Sequence, residues 1–170
     1  MQSTPMFRAS EILQMAIEIE RSGLAFHQAC VEAADNERVV DVFQFMVGEE
    51  KRHIEIFKAL EEPLARYELP ETYPGELQAY MRALIEDRVF ASAEEGAEQA
   101  QATGNPFQAI ATAIGFEKDS ILFYEAMKQL VRPSDAEAID EVIGEEQTHI
   151  SRLVDLRVTL EKGAQPPTGQ

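Results

Sequence analysis

The feature that most constrains the fold of this chain is an internal repeat of two helical segments. The segment Ala16–Cys30 (AIEIERSGLAFHQAC) aligns with Ala113–Met127 (AIGFEKDSILFYEAM). A second segment, Val47–Ile54 (VGEEKRHI), aligns in the same way with Ile143–Ile150 (IGEEQTHI). Each segment carries apolar residues at helical spacing, which predicts a hairpin of two helices and a duplicate of it. Four such helices bury their apolar stripes against one another, so the repeat predicts an all-α four-helix bundle.

Helical periodicity, together with the positions of proline and glycine, gives the expected limits of the elements. Four long helices are predicted over about residues 10–34, 36–64, 106–132 and 134–162. Residues 65–105 form the crossover between the hairpins, with a further helix over about 76–102 that Gly96 interrupts. Residues 1–163 are predicted to form one domain, and residues 164–170 a disordered tail.

Each copy of the repeat has a Glu-x-x-His motif on its second helix and a glutamate in the apolar stripe of its first helix. At 100° per residue, Glu50 lies about 20° from the centre of its stripe, whereas Glu49 lies about 80° from it. In the second copy Glu146 is central and Glu145 lies outside, so we expect Glu49 and Glu145 to be solvated. The residues predicted to share one buried site are Glu20, Glu50, His53, Glu117, Glu146 and His149.

Four carboxylates and two imidazoles on four helices match the ligands of a two-metal carboxylate centre in a helix bundle, which is the ferritin-like arrangement. Burying carboxylates without compensation is costly, and two divalent cations would remove that cost. A carboxylate–histidine hydrogen-bond network is the alternative interpretation. Oxygen and imidazole ligands without thiolate suit iron, manganese or zinc. The ferritin-like arrangement makes two iron ions the leading prediction.

These motifs resemble those of the rubrerythrin-type branch of the ferritin-like superfamily. The resemblance covers nearly the whole chain and rests on the stretches Glu20–Phe26, Glu50–His53, Glu117–Tyr124 and Glu146–His149. It implies a non-haem di-iron centre that reacts with peroxide or dioxygen, in oxidative-stress defence or iron handling, with the six site residues serving catalysis. It also implies that Glu50 and Glu146 bridge the irons, that Glu20 and Glu117 bind terminally, and that each iron takes one histidine. A homodimer is expected for this class.

The chain departs from rubrerythrins proper in two ways. Its single cysteine, Cys30, cannot build the rubredoxin-like iron site of two Cys-x-x-Cys pairs, so turnover would need an external electron donor. The positions three residues either side of Glu117 are Ile114 and Ser120, so the additional glutamate ligand of rubrerythrins is missing. The resemblance suggests tyrosine where this chain has His27, and we expect His27 to have a core or hydrogen-bonding role rather than a metal role.

Composition limits the remaining functions. The net charge of −16 argues against binding nucleic acid, whose phosphates would be repelled. The sequence has no apolar run long enough to span a membrane and no signal peptide at its start, so a cytoplasmic location is expected. Two alternative functions stay open. One is a ferroxidase that stores or delivers iron, and the other is a structural or partner-binding bundle, stabilised by a metal such as zinc, without turnover.

Overall fold

The computed structural model describes residues 8–65, 75–86 and 92–164. These residues form seven α-helices and no strand. The helices are α1 (Ala9–Ala33), α2 (Glu37–Ala59), α3 (Glu61–Ala65), α4 (Gly75–Glu86), α5 (Ala93–Ala102), α6 (Pro106–Met127) and α7 (Pro133–Ala164). A single turn of 3₁₀ helix, Lys128–Leu130, follows α6.

The two copies of the repeat form the hairpins α1–α2 and α6–α7, which pack together into a four-helix bundle. Asparagine caps start the second helix of one hairpin and the first helix of the other. The Asn36 side-chain oxygen accepts from the Arg38 amide at 3.0 Å, and the Asn105 oxygen accepts from the Gln108 amide at 3.1 Å. These bonds satisfy amide groups that a helix start leaves without partners. The two caps define where α2 and α6 begin.

The core of the bundle lies along the inward faces of the four long helices. Its largest fully buried aromatic side chains are Phe26, Phe43, Phe57, Phe123 and Tyr124. The Tyr124 ring packs 5.0 Å from the Phe57 ring, which links α6 to α2 across the bundle. Burial of apolar surface at about 25 cal/mol per Å² makes this aromatic layer a main source of stability. The same aromatic layer lies beside the polar residues at the centre.

The crossover differs from the single interrupted helix expected over about residues 76–102. It contains two helices, α4 and α5, and residues 87–91 between them lie outside the described part of the chain. The expected interruption at Gly96 is wrong, because Gly96 lies inside α5. A β-carbon at Gly96 would lie 2.5 Å from the Ser22 carbonyl oxygen of α1. The glycine therefore serves the close approach of two helices and does not break one.

The predicted second helix, about residues 36–64, is divided at Leu60 into α2 and α3. The predicted third helix ends its α-helical part at Met127 and continues as the 3₁₀ turn. The last helix runs to Ala164, and the rest of the predicted tail lies outside the described residues. None of the described helices is both long and apolar enough to cross a membrane.

Candidate metal centre

The six residues predicted to share a site come together in the middle of the bundle. All are buried, with at most 1% of each residue exposed: Glu20, Glu50, His53, Glu117, Glu146 and His149. The long helices α1, α2, α6 and α7 all contribute, since each carries its carboxylate or its Glu-x-x-His pair on the inward stripe. The spacing of three residues puts glutamate and histidine on one helix face.

Their ligand atoms form two overlapping groups, each with all atoms within 4.8 Å of one another. We call them the first position (Glu20, Glu50, His53 and Glu146) and the second position (Glu50, Glu117, Glu146 and His149). Each position offers three carboxylates and one imidazole. Glu50 and Glu146 belong to both, as bridging ligands between two ions would.

In the first position, His53 Nδ1 lies 3.3 Å from Glu20 Oε2 and 3.1 Å from Glu146 Oε1. The other ring nitrogen, Nε2, lies 2.9 Å from Glu145 Oε2. The Tyr124 hydroxyl donates a hydrogen bond to Glu20 Oε1. Both ligands that belong to this position alone, Glu20 and His53, therefore have a contact from a residue outside the six.

In the second position, His149 Nδ1 lies 2.7 Å from Glu146 Oε2 and 3.8 Å from Glu117 Oε2. The His149 ring stacks on the His53 ring with centroids 5.7 Å apart. The edge of the Phe45 ring packs against His149 at 6.0 Å. Two ring contacts, and no outer carboxylate from the described residues, thus accompany this imidazole.

Many polar atoms of the centre have no hydrogen-bond partner among the described residues. They are both carboxylate oxygens of Glu50, Glu117 and Glu146 and both ring nitrogens of His149 and His27. Buried polar atoms in a folded protein are nearly always satisfied, so a cluster of this size requires an explanation. Cations placed among these oxygen and nitrogen atoms would satisfy them together, and the residues therefore fit a pair of divalent metal ions.

The pKa shifts show that the buried negative charge of this cluster is unfavourable without a compensating positive charge. Burial, followed by the proximity of other carboxylates, raises the pKa of Glu50 and of Glu117 well above the ordinary range. Burial acts to lower the pKa of the histidines, but the nearby carboxylates outweigh it and raise the pKa of His53 to about 11 and of His149 to about 10. Protons on these groups offset the buried negative charge when no metal is bound.

His27 belongs to this centre, which the sequence analysis did not predict. Its Nε2 lies 3.3 Å from Glu117 Oε1 and 3.4 Å from Glu50 Oε1, and the residue is fully buried. Burial, followed by the charge of His149, lowers the pKa of His27 to about 3, so its imidazole is neutral. The signal was available in the repeat, because His27 aligns with Tyr124, which contacts the equivalent glutamate, Glu20.

The expectation that Glu145 is simply solvated is wrong. Its side chain is 31% exposed, and it contacts both His53 and the Arg52 guanidinium. Burial alone would raise the pKa of Glu145, but Arg52 and then His53 outweigh it and lower that pKa. Glu49, also expected in solvent, keeps 24% of its side chain exposed and pairs with Arg52 at 3.1 Å. The helical angle of Glu145 could not reveal a contact made across helices to α2.

No protein-family model matches the chain, and no curated protein matches it. A solved structure does match: the crystal structure of a protein from Thermotoga maritima described as a candidate ferritin-like diiron-carboxylate protein. The match has a TM-score of 0.64 and 22% sequence identity, and it covers 91% of this chain and 97% of the other. The fold is ferritin-like. This confirms the predicted all-α ferritin-like bundle.

Proposed function

We propose that the centre binds two iron ions that react with peroxide or dioxygen and are re-reduced by an external electron donor. The observation that carries the proposal is the pair of overlapping ligand groups that share Glu50 and Glu146. Each group is fully buried and offers three carboxylates and one imidazole, the ligand set of dinuclear carboxylate centres in helix bundles. The ferritin-like fold agrees with it.

The donor atoms suit iron, manganese or zinc, and we propose iron because the fold is ferritin-like. They are carboxylate oxygens and imidazole nitrogens, and the one cysteine of the chain, Cys30, aligns with Met127 outside the ligand positions. When bound, a pair of iron ions would supply two redox-active metals at one buried site. The metal with which the protein is loaded in the cell is the first quantity to measure.

The protein itself would contribute arrangement, charge and exclusion of water. Glu50 and Glu146 would bridge the ions, Glu20 and Glu117 would bind terminally, and His53 and His149 would each bind one ion. The aromatic layer, to which Phe43 belongs, lies between these ligands and solvent. Low polarity around the ligands strengthens each charge interaction within the site.

Within the ferritin-like fold we propose a rubrerythrin-type reaction without a built-in electron relay. The Ser120 hydroxyl, one turn from Glu117, donates to the Phe116 carbonyl oxygen at 3.2 Å, so it is engaged in its own helix. Cys30 is buried, and burial raises the pKa of its thiol to about 12, which leaves it unreactive. Reducing equivalents would therefore come from another molecule.

Anaerobic loading of the metal-free protein with Fe²⁺ tests the proposal. We expect about two irons per chain after removal of the excess, and a rapid change in iron absorbance on adding peroxide. Glu50→Ala should lose both. Glu55→Ala is the matched control on the same helix, because Glu55 is 71% exposed and should leave both unchanged. Two zinc ions per chain with no reaction of the iron-loaded protein would support the structural bundle instead.

A further inference from the structure

The internal repeat makes the two metal positions similar, but their outer contacts differ. Three pairs of equivalent residues carry the difference: His27 and Tyr124, Glu49 and Glu145, and Arg52 and Thr148. Tyr124 and Glu145 each contact a ligand of the first position, and Arg52 in turn contacts Glu145. The two positions therefore have the same kinds of ligand but differ in the residues that contact those ligands.

The first position has an outer contact on each ligand that it does not share. The Tyr124 hydroxyl binds Glu20 Oε1, and Glu145 Oε2 lies 2.9 Å from His53 Nε2. Arg52 holds Glu145 in turn and is also bonded to Glu49 at 3.1 Å. His53 Nδ1 in turn lies 3.3 Å from Glu20 Oε2, so the donor atoms of these two ligands already face each other. A cation bound there would replace the proton on Nδ1.

The second position has no such support among the described residues. His149 Nδ1 lies 2.7 Å from the shared ligand Glu146, but no described residue outside the six ligands makes a hydrogen bond to His149 Nε2 or to either oxygen of Glu117. Thr148, at the position equivalent to Arg52, donates to the Gly144 carbonyl oxygen of its own helix at 3.1 Å. If position 27 carried a tyrosine, as the repeat would suggest, its hydroxyl would donate to Glu117. His27 instead places its Nε2 3.3 Å from Glu117 Oε1 without a hydrogen bond.

We propose that the first position binds its metal ion earlier and more tightly than the second, and that Glu145 and Tyr124 are the positioning residues that set this difference. Fixing ligands before binding removes the entropic cost of ordering them, and outer partners of ligating histidines commonly change metal affinity by about 10- to 100-fold. The inference rests on the metal centre proposed above and adds an order of filling to it.

Titration of the metal-free protein with Co²⁺ tests the inference, because cobalt absorbance reports each binding step without any reaction. We expect two steps separated by at least about tenfold in affinity. Glu145→Ala and Tyr124→Phe should each weaken the first step by about 10- to 100-fold and leave the second unchanged. Glu141→Ala, which removes an exposed carboxylate from the same helix as Glu145, should change neither. Glu145→Gln should recover part of the affinity, since its amide oxygen still accepts from His53.

Two ligand variants assign the steps to positions. His53→Ala should remove the tight step, and His149→Ala the weak step. Two steps of equal affinity, or a tight step lost only in His149→Ala, would overturn the inference while leaving the metal centre in place. An unchanged tight step in folded Glu145→Ala and Tyr124→Phe would also overturn it. Absence of both cobalt steps from the wild-type protein would contradict the metal centre itself.

Discussion

Gly23 of α1 lies so close to Phe116 of α6 that a β-carbon on the glycine would be 2.4 Å from the Phe116 Cε1 atom. The same β-carbon would be 3.3 Å from the carboxyl carbon of Glu50. Phe116 is buried and its ring contacts the His27 ring, so a β-carbon at Gly23 would displace a side chain of the core. The absence of a side chain at Gly23 thus allows two helices and the shared ligand Glu50 to meet.

Gly23→Ala is therefore expected to lower the free energy of unfolding by about 1–3 kcal/mol, the usual result of overpacking a core. It should also weaken metal binding, since the displaced ring lies beside the centre. Urea unfolding of the metal-free protein measures the first effect and cobalt titration the second.

Gly144→Ala is the control for Gly23→Ala. Gly144 is exposed on α7, and a β-carbon there meets nothing within 4 Å. Alanine in an open helical position should raise the free energy of unfolding by up to about 1 kcal/mol. Equal effects of the two substitutions would show that helix propensity, rather than contact with Phe116, governs both sites.

Glu50→Gln should stabilise the metal-free protein while abolishing metal binding. Both Glu50 oxygens are buried without hydrogen-bond partners, and its pKa is raised well above the ordinary range, first by burial and then by Glu20. Burial therefore disfavours the charged form of Glu50, and the neutral amide avoids that cost. We expect a gain of about 1–3 kcal/mol in the free energy of unfolding.

Thermal unfolding with a chelator, and then with added metal, measures both parts of the Glu50→Gln prediction. The wild-type protein should melt at a higher temperature with metal, whereas the variant should show no metal effect. Glu55→Gln changes an exposed carboxylate of the same helix and should behave as wild type in both conditions. A metal-free variant less stable than wild type would mean that Glu50 has a partner in solution.

Stability of the metal-free protein should fall as the solution becomes alkaline. The pKa of His53 is raised from 6.5 to about 11 and that of His149 from 6.5 to about 10, because nearby carboxylates outweigh the effect of burial. A raised histidine pKa contributes stability that is complete below the unfolded value of 6.5 and is lost as the pH rises through the folded value. The raised pKa of Glu117 acts in the same direction.

Melting temperatures of the metal-free and metal-loaded protein at about pH 7 and about pH 10 test this dependence. We expect a clear decrease for the metal-free form and a smaller one for the loaded form, in which cations replace the protons. His149→Gln should flatten the dependence of the metal-free form. A pH profile identical in the two forms would show that the imidazoles do not carry the compensating charge.

The repeat was sufficient to predict the fold and the meeting of the six candidate ligands, but not the place of His27 beside them. Apolar periodicity placed Glu20 and Glu117 on inward stripes, and the equivalence of the two copies showed that the hairpins face each other. The prediction that the six residues bind metal stays a prediction. What a single helix determines, such as which face is buried, could be derived from its own residues.

Contacts between helices account for what the sequence analysis missed. Gly96 was taken for a helix breaker because glycine lowers helix propensity, but its role depends on the Ser22 carbonyl of another helix. Glu145 lies off the apolar stripe of α7, yet its side chain reaches His53 of α2. A long polar side chain can reach a neighbouring helix, and the apolar periodicity of its own helix cannot predict which residue it contacts there.

His27→Tyr should make the two metal positions more alike. Tyrosine at this site would restore the repeat, in which the Tyr124 hydroxyl donates to Glu20, by offering an equivalent hydroxyl to Glu117. We expect the weaker cobalt step to tighten by about tenfold, towards the affinity of the stronger step. His27→Phe is the matched control: it fills similar space without a donor, so it should leave the weak step weak. If phenylalanine and tyrosine tighten it equally, space beside Glu117, and not a hydrogen bond to it, limits binding at the second position.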